Sequence, residues 1–244
     1  MSIRLQVLPT KDAVIGDTAD AAVQLLAQLT RERDRVDVCL TGGSVGIGIL
    51  EAIASHPQLA QLELGRIHWW WGDERFVPSD SDDRNEKQAR EALLDVIGVQ
   101  ESNINALPAS DQDLDLDQAA AAASAELAEA SPFALTFLGL GPDAHVASLF
   151  PEHPDAASDE HRVVAVRDSP KPPPERLSMT FAVLNASERV WIAAAGSDKA
   201  DAVAAAIAAP DRVRVPAAGV RGTAETLLFA DEAAASLVER SDQA

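Results

Sequence analysis

Residues 36–57, VDVCLTGGSVGIGILEAIASHP, contain the pattern that indicates the fold class. It begins with the apolar run VDVCLT, which is typical of a short buried strand. The chain then passes through Gly42, Gly43 and Ser44 into a segment of helical character that ends near residue 57. A strand, a glycine turn and a helix in this order form the repeating unit of sheets whose strands run parallel.

The same alternation continues on both sides of this stretch. Strands are predicted at residues 3–8, 36–41, 67–71, 104–107, 134–141, 163–166, 190–196 and 226–229. Helices are predicted at residues 18–33, 84–96, 111–130 and 197–208, and a polar loop follows residue 71. We therefore expect an α/β fold, a Rossmann-like and mostly parallel sheet with helices on both faces, as a single domain over residues 1–244. Ligands of such sheets bind at the carboxyl ends of the strands.

The charge balance limits the partners. The formal net charge is −19 at pH 7, and the resulting field repels nucleic acids and anionic membranes, so we expect neither as a partner. A small anionic substrate would need a local cluster of cations and backbone N–H groups. Lysine is scarce, and the chain has only Lys11, Lys87, Lys171 and Lys199.

The compartment is predicted from cysteine usage and apolar runs. No apolar run approaches the roughly 20 residues that cross a bilayer, and residues 1–17 lack a basic region followed by an apolar signal core. Cys39 is the single cysteine, so an internal disulfide and a multi-cysteine zinc site are excluded. We expect a cytoplasmic protein in which Cys39 packs within a strand.

The turn at Gly42, Gly43 and Ser44 is the first candidate binding site. Glycines allow backbone N–H groups to approach an anion, and the following helix adds its positive end. The turn is neither a Walker A loop nor a GxGxxG motif, because Ile49 and Glu51 occupy the required positions. A tight turn without a ligand explains the motif about equally well. The pattern also matches the GxSxG nucleophile elbow of serine hydrolases. Against this match, only one clear strand precedes the turn, and no histidine lies beyond His161 to complete a Ser, Asp, His order.

Two further strand ends carry charged side chains. Asp73, Glu74 and Arg75 follow the predicted strand at 67–71, and Arg75 could hold a phosphate or carboxylate with two hydrogen bonds. A surface ion pair of Arg75 with Asp73 or Glu74 is the alternative. Lys199 follows the strand at 190–196 at the start of a helix, where a cation is unfavourable unless an anion lies between them. The three tryptophans in the strand at 67–71 are predicted to pack in the core.

His145 is the candidate catalytic residue. It follows the buried strand at 134–141 in the turn GLGPDAH, with Asp143 two residues before it. Histidine is the side chain best suited to proton transfer near neutral pH, and an aspartate can fix its tautomer. His145, His153 and His161 have no recognised metal-ligand spacing, so no metal site is expected.

Taken together, these motifs resemble the glucosamine-6-phosphate isomerase/6-phosphogluconolactonase family. The resemblance covers nearly the whole chain through LTGGSVG (40–46), WWGDERFVPSDSDDRN (70–85), FLGLGPDAHVASLFP (137–151), PPPERLSMT (172–180) and AAGSDKADAV (194–203). The continuation SLFP after the histidine and the GDERFVP form of the acidic loop indicate the lactonase branch rather than the deaminases. One departure is Ala144, where family members usually carry glycine.

The resemblance implies hydrolysis of 6-phospho-D-glucono-1,5-lactone to 6-phospho-D-gluconate, the second step of the oxidative pentose phosphate pathway. It implies that His145 deprotonates the attacking water, that Asp143 orients His145, and that neither a metal nor another cofactor takes part. It further implies that the remaining candidates bind the phosphorylated sugar, namely Gly42, Gly43, Ser44, Asp73, Arg75, Arg176 and Lys199. A functional coupling to glucose-6-phosphate dehydrogenase is a further implication.

Three alternatives stay open on the sequence. They are a sugar-phosphate deaminase or isomerase of the same fold, a non-catalytic sugar-phosphate sensor, and a serine esterase that uses Ser44.

Overall fold

The computed structural model describes residues 3–128, 130, 132–154, 159–208 and 211–238. Strands and helices alternate through most of these residues. The strands are β1 (Arg4–Leu8), β2 (Val36–Leu40), β3 (Ile67–Trp71), β4 (Asp73–Arg75), β5 (Leu135–Gly139), β6 (Val163–Val166), β7 (Arg176–Met179), β8 (Arg189–Ala194) and β9 (Glu225–Asp231). The α-helices are α1 (Lys11–Glu32), α2 (Gly43–Ala54), α3 (Asn85–Ala89), α4 (Leu116–Ala128), α5 (Phe181–Leu184) and α6 (Ala200–Ala208).

The central sheet has six strands in the order β1-β9-β8-β5-β2-β3, and all of its pairs are parallel. β2 is buried at every position because it lies inside the sheet between β5 and β3. Helices α1 and α2 pack against each other and against strands of the sheet. The prediction of a mostly parallel sheet covered by helices is confirmed.

The core contains the residues that the sequence assigned to packing. Trp69, Trp70 and Trp71 are each at most 5% exposed, and Cys39 is fully buried in β2. Trp70 lies on the opposite face of β3 from its two neighbours, and its indole Nε1 donates to Asp37 Oδ1 at 2.8 Å. Packing of the tryptophans and of Cys39 in the core is therefore confirmed.

A second, antiparallel sheet in the order β4-β7-β6 was not predicted. The chain changes sheets at Gly72, whose N–H donates to Leu40 O at 3.0 Å while its carbonyl accepts from Met179 N at 2.8 Å. The sequence predicted a polar loop here, which is wrong for Asp73–Arg75. Three consecutive charged residues show no alternation of apolar and polar side chains and have low strand propensity. Their strand structure therefore depends on pairing with a distant segment.

Several predicted boundaries also differ. α1 begins at Lys11 rather than at residue 18, because the hydroxyl of Thr10 accepts from Ala13 N at 3.2 Å and caps the helix. The helix predicted over 84–96 is α-helical only in α3 and continues as a π-helical turn over Arg90–Leu94. The strand predicted at 104–107 is a single bridge between Ile104 and Trp69.

Two further predicted helices begin later than expected. The helix expected over 111–130 begins at Leu116, and residue 129 near its expected end lies outside the described residues. The helix predicted from residue 197 starts with the 3₁₀ turn Ser197–Lys199 before α6. Among the described helices, none combines the length and the apolar character needed to span a membrane.

Candidate active site

A cleft of about 270 Å³ opens at the carboxyl ends of four neighbouring strands, β8, β5, β2 and β3. Because parallel strands end at the same edge, loops that are distant in sequence meet there. Seven of the nine predicted site residues line the cleft: Gly42, Gly43, Asp73, Arg75, His145, Arg176 and Lys199.

The eighth, Asp143, contacts His145 directly. Its Oδ1 lies 2.5 Å from Nδ1 of the imidazole, so the two side chains form the predicted pair. Burial alone would raise the pKa of Asp143, but the hydrogen bond and the charge of His145, together with the charge of Lys171, lower it to about 2. An ionised Asp143 holds the proton on Nδ1 of His145 and leaves Nε2 available as a base.

A tight backbone turn fixes the orientation of the His145 imidazole. The N–H of Gly141 donates to the carbonyl of His145 and the N–H of Ala144 donates to the carbonyl of Gly141, both at 2.9 Å. On its other side, the ring of His145 packs against Phe150, with the centroids 4.7 Å apart. The imidazole is therefore held by a carboxylate, a backbone turn and an aromatic ring.

Ala144 adopts the left-handed conformation that glycine prefers, with a φ of 65°. The Cβ of an L-residue makes this conformation cost about 1–2 kcal/mol. The surrounding structure holds it there, because Ala144 is buried and its carbonyl accepts from Ala217 N at 3.0 Å. The departure from the usual glycine thus leaves the turn and the contact between Asp143 and His145 in place.

The glycine turn closes the opposite wall of the cleft. Gly42 lies against the buried side chain of Asn85, and a Cβ on Gly42 would be 1.9 Å from Asn85 Oδ1. The amide of Asn85 donates to Asp73 O at 2.8 Å and accepts from the guanidinium of Arg75, which also donates to Asp83 O at 3.0 Å. Arg75 is thus directed by Asn85 and by a backbone carbonyl rather than by an ion pair with Asp73 or Glu74.

Asp73 and Arg176 are buried at the base of the cleft. Asp73 Oδ2 accepts from the hydroxyl of the fully buried Ser148 at 2.7 Å. Arg176 is 6% exposed, and its guanidinium lies 5.9 Å from the centroid of the Phe150 ring that also contacts His145. Both side chains are therefore held in place before any substrate binds.

Ser44 is the predicted residue that neither lines the cleft nor contacts His145. It is exposed near the start of α2, and its hydroxyl lies 3.3 Å from the ammonium of Lys11. The helix begins at Gly43, so the two glycines face the cleft while Ser44 lies on the outer side of the turn.

Three polar side chains of the cleft are absent from the predicted site residues: Thr41, Asn85 and Lys171. Thr41 lies within the motif LTGGSVG. Asn85 is the last residue of WWGDERFVPSDSDDRN, and Lys171 is one of only four lysines in the chain. The positions of Thr41 and Asn85 within their motifs and the scarcity of lysine in the chain are therefore the signals that could have identified these residues. With them, the cleft combines an imidazole–carboxylate pair with four cationic side chains: Arg75, Lys171, Arg176 and Lys199. This arrangement suits proton transfer on a small anionic substrate.

Comparison with known proteins agrees with this geometry. The family model for glucosamine-6-phosphate isomerases/6-phosphogluconolactonase matches residues 9–229. A 6-phosphogluconolactonase of Streptomyces coelicolor is 44% identical, over 91% of this chain and 90% of that protein. A 6-phosphogluconolactonase of Mycobacterium tuberculosis is 40% identical, over 97% of this chain and 98% of that protein.

A solved structure shows the same fold. The crystal structure of 6-phosphogluconolactonase from Thermotoga maritima superposes with a TM-score of 0.83 at 26% identity, covering 95% of this chain and all of that one. The agreement extends over nearly the whole length of both chains. The chain therefore belongs to the family of glucosamine-6-phosphate isomerases and 6-phosphogluconolactonases.

Proposed function

We propose that the chain is a 6-phosphogluconolactonase, which hydrolyses 6-phospho-D-glucono-1,5-lactone to 6-phospho-D-gluconate. The observation that carries the proposal is the pair of Asp143 and His145 at a cleft lined by Arg75, Arg176 and Lys199. Relatives at 44% and 40% identity that are named lactonases support the same reaction.

In the proposed reaction, His145 acts as a general base. Its Nε2 takes a proton from water as the water oxygen bonds to C1 of the lactone, and the carbonyl oxygen becomes an oxyanion. When the tetrahedral intermediate collapses, the bond from C1 to the ring oxygen breaks, and that oxygen receives the proton from His145. Asp143 holds the tautomer and stabilises the imidazolium that forms between the two steps.

The substrate phosphate would be bound by Lys199 and by the turn at Gly42 and Gly43, with Arg75 and Arg176 as further cations of the cleft. A cation cluster is required because the net charge of −19 opposes an anionic substrate. Phosphate binding remote from C1 aligns the lactone with the water, which converts binding energy into rate. Asp73, fixed by Ser148, would accept a hydrogen bond from a sugar hydroxyl.

The alternatives have less support. A deaminase or isomerase of the same fold is not favoured, because the relatives at about 40% identity are named lactonases. A non-catalytic sensor would not need the contact between Asp143 and His145, which the left-handed Ala144 leaves in place. A serine esterase would need a base beside Ser44, whereas its hydroxyl contacts Lys11 outside the cleft.

The lactone would be supplied by glucose-6-phosphate dehydrogenase, and we propose functional coupling between the two enzymes in the cytoplasm. The single, buried Cys39 is compatible with a reducing compartment.

The reaction can be tested by following lactone disappearance at mildly acidic pH, where spontaneous hydrolysis is slow. The wild-type chain should accelerate it, and His145→Ala should lower kcat by at least about 10²-fold. Normal turnover by His145→Ala would exclude His145 as the base. Complete loss of kcat in Ser44→Ala, with labelling of the wild type by a serine-directed phosphonate, would favour the esterase instead.

A further inference from the structure

Lys171 differs from the other lysines of the chain. The ammonium groups of the other three lie within 3.5 Å of an oxygen: those of Lys11, Lys87 and Lys199. Lys171 is half-buried in the wall of the cleft, and its ammonium has no hydrogen bond or ion pair with any residue that the structure describes. A chain with few lysines therefore places an unpaired one at its candidate active site.

The backbone that carries Lys171 is fixed. Its carbonyl accepts from the guanidinium of Arg176 at 3.1 Å and from the hydroxyl of Ser169 at 2.9 Å. The same guanidinium also donates to the carbonyls of Pro172 and Pro173, both at 3.2 Å. Arg176 thereby holds the segment at the cleft, and only the side chain of Lys171 remains free to meet a ligand.

The charges around the ammonium are mixed. Burial lowers the pKa of Lys171, and the neighbouring cations Lys199 and Arg176 lower it further, while Asp143 and Asp198 oppose this effect. An ammonium that is partly removed from water, near two like charges and without a hydrogen-bond partner, is unfavourable in the free protein. A bound anion would supply the missing partner.

The packing around the Lys171 segment indicates which anion this is. The guanidinium of Arg176, which binds the carbonyl of Lys171, lies 5.9 Å from the centroid of the Phe150 ring, and that ring packs against His145 with the centroids 4.7 Å apart. Lys171 therefore lines the cleft together with His145, at the end where water attacks C1. Lys199, in contrast, contacts Asp198 at the start of the turn that leads into α6. We propose that Lys171 is a catalytic residue whose ammonium stabilises the oxyanion that develops on the lactone carbonyl oxygen.

This assignment rests on the proposed lactonase reaction. The ammonium donates to the carbonyl oxygen as the water oxygen bonds to C1, and it releases that oxygen when the ring ester bond breaks. A donor aimed at a developing oxyanion contributes about 10²–10³-fold in kcat. Its contribution does not depend on the phosphate, because the carbonyl is present in any aldonolactone.

The test compares Lys171→Met and Lys171→Arg with the wild type on two substrates, 6-phosphoglucono-1,5-lactone and unphosphorylated glucono-1,5-lactone. For Lys171→Met we expect kcat on the phosphorylated lactone to fall about 10²–10³-fold with KM changed less than about threefold. On the unphosphorylated lactone kcat/KM should fall by a similar factor, and Lys171→Arg should recover most of both losses. Lys87→Met removes the same charge outside the cleft and should leave both rates unchanged.

Inhibition by glucose 6-phosphate, which carries the phosphate but no carbonyl or carboxylate at C1 in its ring form, shows that the variant still folds and binds the phosphate. Lys171→Met should keep the wild-type inhibition constant for this ligand, because the ligand has no oxygen equivalent to the developing oxyanion. A rise in KM with unchanged kcat, or a loss confined to the phosphorylated lactone, would show that Lys171 binds the phosphate and would overturn the assignment. Wild-type rates in Lys171→Met would also overturn it, whereas a wild-type chain with no lactonase activity would overturn the proposed function itself.

Discussion

Gly141 leaves the space in which the imidazole of His145 lies. A Cβ on Gly141 would be 2.0 Å from Nδ1 and 2.1 Å from Cε1 of His145, and 2.5 Å from Oδ1 of Asp143. These separations are far below van der Waals contact, so a side chain at Gly141 and the observed pair of Asp143 and His145 exclude each other. The glycine is therefore a requirement of the active-site geometry.

Gly141→Ala should inactivate the enzyme without unfolding it. The methyl group displaces the imidazole by an ångström or more, and a displacement of that size costs about 10²-fold in rate. We expect kcat to fall by about that factor while the thermal unfolding midpoint changes little, since the displaced side chains can move into the cleft. Gly16→Ala is the matched control, because a Cβ there meets no atom within 4 Å and a helix interior favours alanine. Wild-type activity in Gly141→Ala would contradict the geometry.

The φ of 65° at Ala144 predicts that glycine is tolerated at this position and that a branched side chain is not. Ala144→Gly relieves about 1–2 kcal/mol of backbone strain. It also removes a buried methyl group worth about 0.8 kcal/mol and raises the conformational entropy of the unfolded chain, and both of these effects lower stability. The free energy of unfolding should thus change by less than about 1 kcal/mol, with kcat within about twofold. Ala144→Val places a branched side chain in the same conformation and should destabilise the fold by about 2 kcal/mol or more. Equal urea midpoints for the two variants would show that the turn relaxes.

Lys199 should discriminate between phosphorylated and unphosphorylated lactones. A hydrogen bond to a charged group contributes about 1.5–3 kcal/mol, so Lys199→Ala should lower kcat/KM for 6-phosphoglucono-1,5-lactone about 10- to 100-fold. We expect the loss to lie mainly in KM and to be less than about twofold for glucono-1,5-lactone. Lys87→Ala serves as the control outside the cleft. Equal losses on both lactones would show that Lys199 does not bind the phosphate.

The fold could be predicted where a local pattern matches the final environment. β2 is mostly apolar because it is buried inside the sheet, and the glycines that follow it indicate the turn into α2. β4 gives no such signal, since Asp73–Arg75 becomes a strand only by pairing with β7, about a hundred residues further along the chain. Pairing between segments that are distant in sequence leaves no pattern in either segment alone, so it could not be predicted.

The site residues likewise divide into those that the sequence predicts and those that it does not. Gly42, Arg75, His145 and Lys199 follow strands, and the shared edge of a parallel sheet brings strand ends together, so their convergence could be predicted. Lys171 reaches the cleft from an irregular segment that Arg176 anchors through backbone carbonyls, which no spacing rule describes.

Asp143→Asn should separate the role of the charge from that of the shape. Asparagine can keep the contact with Nδ1 but no longer requires a proton there, so the tautomer with a basic Nε2 is lost and kcat should fall about 10²–10⁴-fold. Asp34→Asn, at an exposed carboxylate, is the control. Retention of wild-type kcat in Asp143→Asn would show that His145 needs no partner.

Asp143→Asn should also change how the free energy of unfolding decreases as the pH falls. The pKa of Asp143 is lowered to about 2 in the folded protein, so its stabilising contribution is present above about pH 4 and is lost as the pH falls toward 2. Urea unfolding at pH 6 and pH 3 should therefore show a smaller acid loss for Asp143→Asn than for the wild type. Identical losses would mean that the carboxylate is not stabilised by His145.

Glu74 is the fully buried carboxylate beside the site, and it predicts a pH dependence of the opposite sign. Its oxygens accept from the N–H groups of Arg75, Asn85 and Glu86 at 2.7–2.9 Å, and Arg84 lies 3.8 Å away. Burial nevertheless raises its pKa to about 7, because these donors and the charge of Arg84 only partly offset the loss of water.

A carboxyl whose pKa is higher in the folded than in the unfolded chain binds more protons when folded. The contribution of Glu74 to stability should therefore be complete below about pH 4.5 and should decrease as the pH rises to about 7. Glu74→Gln removes this titration but directs an amide N–H₂ at one of the backbone donors, at a cost of about 1–3 kcal/mol. Urea unfolding at pH 5 and pH 8 should thus show a deficit for Glu74→Gln that shrinks as the pH rises. A deficit that grows would mean that the three backbone donors keep the carboxylate ionised throughout, with its pKa below the ordinary value.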